Sequence, residues 1–197
     1  MKKKLILCLA CAGLVLLVLC GIIFVIRGKS YNEISNTKYY DRDKEKISEH
    51  LKSYSNEILS LKETNAFIAS GSYVRGRKYW DAFLEKSEKG EKCSIDIITF
   101  SLGGNAIVMY LEYNGSDYYL FTDKSRAFDE EGTSYNWKSG VATHDYLNCL
   151  NMEEGNQQIV LSNIKFDSYE DYFKIVRSPS YDYDDETYIL TFKPSEE

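Results

Sequence analysis

Residues 105–122, NAIVMYLEYNGSDYYLFT, decide the fold. Side chains alternate across a strand, so Ile107, Met109, Leu111 and Tyr113 share one face of the first half. Tyr113-Asn114-Gly115-Ser116 follows, and Asn and Gly tolerate the positive φ that a tight hairpin turn requires. Tyr118 to Thr122 then returns as the second strand. The stretch is a β-hairpin.

Upstream, CSIDIITF at 93–100 sets Ile95 and Ile97 against Asp96 and predicts another strand. Before it, 77–89 predicts a helix with Trp80, Phe83 and Leu84 inward and Gly90 at its stop. Ile47, Leu51, Tyr54, Ile58 and Leu61 recur at helical steps, predicting an amphipathic helix over 43–62 with Asp41 or Asp43 as its cap. Downstream, 125–140 is rich in charge and Gly, contains Trp137, and reads as a loop. A second hairpin pairs 144–151 with 157–162 across 153–156. Ser168 with Asp171 resembles a capping box for a third helix over 168–177, whose face is Tyr169, Tyr172, Phe173 and Val176 and whose end is Pro179. Tyr188, Leu190 and Phe192 alternate along a last strand at 187–192. Helices with a run of consecutive strands imply an α+β domain over 43–197, its helices packed on a mostly antiparallel sheet of hairpins. There is no repeat and no second domain.

A different physics governs residues 5–26, LILCLACAGLVLLVLCGIIFVI, which carry no charge. As a helix rising about 1.5 Å per residue, the run slightly exceeds the hydrocarbon core of a bilayer. A cleavable signal has an apolar stretch of about 7 to 15 residues ending at small residues. Here the one Ala-x-Ala-like step, Ala10 to Ala12, lies inside the run. A lipoprotein signal needs a small residue before its acceptor cysteine, but Leu19 precedes Cys20, and Cys11 has little apolar chain before it. The expectation is an uncleaved transmembrane helix within 1–29, followed by a linker at 30–42. Lys2, Lys3 and Lys4 favour a cytoplasmic N-terminus over the weaker pull of Arg27 and Lys29, which leaves the domain outside the cytoplasm.

All 30 acidic residues follow Lys29, against a total of 24 basic residues in the whole chain. That balance disfavours nucleic acid and peripheral attachment to anionic lipid. The 17 tyrosines also follow Lys29, while proline occurs only at 179 and 194, a composition suited to partly exposed sheet rather than disorder. Cys93 and Cys149 are the two cysteines outside the apolar run. They are a possible disulfide or a pair of buried thiols.

The order from Trp80 to Arg126 resembles an uncharacterised family of small membrane-anchored or lipoprotein-like proteins of Gram-positive bacteria. The resemblance rests on a helix patterned like Phe83, Leu84 and Gly90, a strand pair carrying Leu111, Tyr113 and Gly115, and an Asp-x-x-Arg step like Asp123 and Arg126. It covers about a quarter of the chain, and Asn105 and Ala106 replace the acidic and proline residues usual before the second strand. That family has no established activity, so the resemblance implies a compartment and a fold and no reaction.

No motif implies a cofactor. His144 with Asp145 is a candidate base and orienter for Cys93 or Cys149 as nucleophile, but neighbours on a strand point to opposite faces. His144 is therefore expected to be structural or idle, and His50 to be solvated on the polar side of its helix. Asp182, Asp184, Asp185 and Glu186 offer oxygen ligands for Ca²⁺, yet lack the Gly and distal Glu of a calcium loop. Asp129, Glu130 and Glu131 are weaker still. Gly103-Gly104 precedes a strand and so reads as a turn, not a phosphate loop. Tyr73, Arg75, Arg77, Lys78, Tyr79 and Trp80 form the basic and aromatic cluster, at a helix start where free N–H groups and cations suit an anion or a wall polymer. The reading that follows is a membrane-anchored, non-enzymatic binding or interaction module at the cell envelope. It meets the bilayer through residues 5–26 and an envelope protein or polymer through its domain. The alternative is an extracytoplasmic enzyme using His144 with a thiol.

Overall fold

The computed structural model describes residues 38–56, 64–101, 103–126, 140–182 and 186–194. The apolar run at 5–26, most of the linker, Ile58, Leu61, Trp137, Asp184 and Asp185 lie outside them. In chain order the elements begin with helix α1 Lys44–Lys52, strands β1 Phe67–Ser70 and β2 Tyr73–Arg75, and helix α2 Arg77–Glu88. Strands β3 Cys93–Phe100, β4 Ala106–Tyr113, β5 Tyr118–Asp123, β6 Gly140–His144, β7 Tyr146–Asn151 and β8 Gln157–Ser162 follow. Helix α3 Tyr169–Val176 and strand β9 Glu186–Phe192 complete them.

The β4–β5 hairpin forms as its sequence predicts, in register from Tyr113↔Tyr118 to Val108↔Asp123, with Gly115 at φ 101 in the turn. Around it grows a sheet of order β2-β1-β3-β4-β5-β6, while β7-β8-β9 make a second, three-stranded sheet. The fold is α+β, but its larger sheet is mixed. β1 runs parallel to β3, with Phe67 opposite Ile97. A parallel pair needs a crossover, and β2 with α2 supplies it. A parallel bridge between Gly71 and Phe192 and a hydrogen bond from Lys193 N to the Gly71 carbonyl (3.1 Å) stitch the two sheets together.

Both faces of the larger sheet are covered. On one, Cys93, Ile95, Ile97, Met109, Leu111 and Leu120 meet Trp80 and Phe83 of α2 and Ile159, Leu161, Leu190 and Phe192 of the second sheet. Trp80 is fully buried, stacked between Phe67 (5.2 Å between ring centroids) and Phe83 (6.0 Å). On the other face, Ile68, Ile98, Val108, Tyr110, Tyr119 and Phe121 lie under Ile47 and Leu51 of α1. A smaller cluster joins Leu150, Val160 and Phe166 to α3.

Five local expectations change. The first helix stops at Lys52. Ser53 Oγ turns back onto the His50 carbonyl (2.6 Å), Tyr54 reaches Asp96, and Asn56 Oδ1 accepts from Ala106 N (2.8 Å). Those bonds end the helix before Tyr54, which still packs against the cluster of Ile47 and Leu51. β1 and β2 had no alternation long enough to mark them. His144 ends β6, which pairs with β5 at the edge of the larger sheet, instead of opening the later hairpin. A bulge in β9 sets Leu190 opposite Ile159 and Tyr188 opposite Val160, so Ile189 is the extra residue. Alternation breaks there, burying Ile189, Leu190 and Phe192 and leaving Tyr188 57% exposed. On α3, Ser168 Oγ caps Asp171 N (3.0 Å) as expected, but the packed face is Tyr169, Tyr172 and Ile175. Phe173 is exposed instead, under the Arg177 guanidinium at 3.6 Å.

Candidate functional site

The basic and aromatic cluster divides between the core and the surface. Trp80 belongs to the core and is not a ligand-facing residue, because a 3.6-residue period turns it under the sheet while its neighbours stay out. Arg77 pairs with Asp81 one turn along α2 (2.8 Å) and lies over the Phe192 ring (5.8 Å). Arg75, Lys78 and Tyr79 line a recess of about 130 Å³ with Thr64, Ala66, Ile68 and Gly76. Gly76 is the N-cap of α2, in the left-handed region at φ 71, and no side chain caps that end. Tyr79 is fixed by a bond from its hydroxyl to Asn65 Oδ1 (2.7 Å), and Lys78 Nζ sits 5.0 Å from its ring centroid. Two cations and a helix start therefore border one small concavity, an arrangement that suits an anionic oxygen, while the Tyr79 hydroxyl is already donated to Asn65.

The candidate catalytic groups do not meet in the contacts they make. His144 is buried, with Nδ1 3.3 Å from Asn163 Oδ1 and Nε2 2.9 Å from Thr187 Oγ1. It joins the end of β6 to β9 and the segment after β8, and is neither solvated nor idle. Cys93 on β3 and Cys149 on β7 are free thiols. Burial pushes the Cys93 thiol up to about 12 and the Cys149 thiol likewise up to about 12, far from the thiolate a nucleophile requires. Cys93 Sγ is spent on the Phe83 carbonyl at 3.6 Å. In the acidic loop, Glu186 accepts from the Tyr181 hydroxyl (3.0 Å) and the Tyr172 hydroxyl (3.5 Å). No group of three or more His, Cys, Asp and Glu side chains converges among the described residues.

The densest polar constellation is one that sequence reasoning missed. Under α1, Asp96 is 2% exposed and Glu112 is fully buried. Asp96 Oδ2 accepts from His50 Nε2 (2.6 Å) and from the Tyr54 hydroxyl (2.5 Å), while its Oδ1 has no partner. Tyr110 donates to Glu112 Oε2 (2.8 Å) and accepts from Tyr40 N (3.0 Å). Arg42 Nε faces Glu112 Oε1 at 3.5 Å, an ion-pair distance without hydrogen-bond alignment, and Arg42 also pairs with Asp117. At the far end Arg126 donates to the Leu51 carbonyl (2.6 Å) and reaches Asp123 (3.4 Å), so the Asp-x-x-Arg step closes the C-terminus of α1. His50 is thus not a solvated side chain. The hydrogen bond to Asp96 raises its pKa above the ordinary histidine value, against the opposing effect of burial.

Comparison with known proteins found no family model, no curated protein and no solved structure that matches this chain.

Proposed function

We propose that this chain is a membrane-tethered, non-enzymatic binding module outside the cytoplasm, taking a small anionic group of an envelope polymer or protein in the recess at the start of α2. The uncharged run at 5–26 behind Lys2, Lys3 and Lys4 supports the tether, as does the resemblance of 80–126 to membrane-anchored envelope proteins. Among the described residues no helix is long and apolar enough to cross a membrane, and 5–26 lies outside them. The observation that carries the binding reading is the engagement of both His144 nitrogens by Asn163 and Thr187, while the buried Cys93 and the half-buried Cys149 are held protonated by desolvation. The enzyme alternative requires His144 to meet a thiol. Arg75, Lys78, Tyr79 and Thr64 instead line a concavity of a size for one small anionic group.

The full chain in detergent, titrated calorimetrically with inorganic phosphate and with a poly(glycerol phosphate) oligomer, tests the recess. Saturable binding of the oligomer, weakened at least about tenfold in Arg75→Ala/Lys78→Ala, is expected, because charge-assisted contacts of this kind contribute about 1.5 to 3 kcal/mol each. Binding unchanged in that double variant, or no binding of either probe, removes the recess from the account.

A further inference from the structure

We propose that residues 38–56 form a pH-gated strap, docked on one face of the six-stranded sheet while His50 carries its proton and loosened when that proton leaves to solvent. The inference is independent of what the recess binds and of where residues 5–26 lie.

The strap is held in two ways. Ile47 and Leu51, both fully buried, supply a short apolar contact. The remainder is a polar seam around a carboxylate that water barely reaches, and among the described residues the cation paired with Asp96 is His50. A buried charge that loses its counter-charge is strongly destabilising, while the pair itself is tolerated. Neutral His50 still donates from Nε2, yet the buried Asp96 carboxylate then has no cation against it. Lifting the strap lets water solvate that carboxylate, so deprotonation favours the lifted state.

The groups around His50 leave it as the titrating element near neutral pH. Tyr40, 5.3 Å away between ring centroids, and Tyr54, at 5.6 Å, flank the imidazole. Burial holds the hydroxyls of Tyr40, Tyr54 and Tyr110 above the ordinary tyrosine value, so all three remain neutral donors. From β4, Glu112 faces Arg42, and from β5 and the following turn, Asp123 holds Arg126 against the Leu51 carbonyl. Arg42 does not lose its proton in this range, since burial lowers its pKa but Asp117 and Glu112 together raise it further. A histidine whose folded pKa is raised stabilises the docked state fully below its ordinary value, and that contribution fades as pH rises through the folded value.

Hydrogen exchange of the full chain, followed by mass spectrometry and corrected for intrinsic rates, measures the protection of residues 46–52 from about pH 5.5 to about pH 8.5. Protection falls with rising pH in the parent and is flat in His50→Gln, which keeps a donor and loses the titration. Linkage fixes the size: protection falls about tenfold for each unit by which the His50 midpoint, read by ring NMR, exceeds its ordinary value. An equal fall in His50→Gln, or no fall in the parent, overturns the proposal. So does a His50 midpoint at or below about 6.5, a readout that stands even where the variant does not fold.

Discussion

Asp96 sits in CSIDIITF, where every neighbour but Ser94 and Thr99 is apolar, and Glu112 sits in AIVMYLEY. Both are buried, and a lone charge in an apolar strand is itself a mark of a buried polar site. Alternation sets Asp96 opposite Ile95 and Ile97, but alternation alone does not distinguish solvent from a second core. The partners come from far along the chain: His50 is 46 residues away and Tyr40 bonds across 70. Local pattern carries no signal for such pairs. Trp80 was legible because its spacing to Phe83 places both on one helical face. His144 was not, since its partners Asn163 and Thr187 lie on other elements. Thermal unfolding separates the two. Trp80→Ala is expected to cost about 3 kcal/mol, the low end for a large buried ring, because the native indole nitrogen already lacks a partner. His144→Ala is expected to cost about 1 to 3 kcal/mol as a lost buried hydrogen-bonding group. A His144→Ala variant that melts with the parent contradicts the buried placement.

At the scale of elements, the hairpins and capped helices were readable because their signals are local: Asn114-Gly115 for the turn, Ser168 for the third cap, Gly90 for the stop of α2. The parallel pair was hidden because β1 is a four-residue strand whose partner stands beyond a crossover. One glycine reports on that crossover. A Cβ on Gly76 would lie 2.2 Å from the Ala66 carbonyl oxygen, and its φ of 71 disfavours any L side chain. Gly90 has φ 75 but nothing within 4 Å of such a Cβ. Gly90→Ala should therefore cost about 1 kcal/mol for the left-handed backbone alone. Gly76→Ala should cost clearly more, about 3 kcal/mol or above, since backbone must move as well. Urea midpoints of the two variants measure the difference. Equal losses would mean that Ala66, just before β1, does not lie against the start of α2.

Across the whole molecule, three devices follow one another along the chain: an uncharged run long enough for a bilayer, a strap across one sheet face, and a two-sheet body with a basic recess at a helix start. Composition marks the run at 5–26 as an expected span, because a stretch of that length without charge has few other uses, and it lies outside the described residues. Arg75, Lys78 and Tyr79 of the recess were legible as neighbours in sequence, whereas Thr64, Ala66 and Ile68, which complete its lining, belong to no motif. The central claim is that the run stays in the chain and holds the body outside the cytoplasm. Protease added to intact spheroplasts, with a cytoplasmic protein as control, measures that directly. The account predicts that the body is digested while the control survives and a fragment containing residues 5–26 remains in the membrane fraction. Complete protection of the body alongside the control, or recovery of a chain lacking residues 1–26 in the soluble fraction, would contradict it.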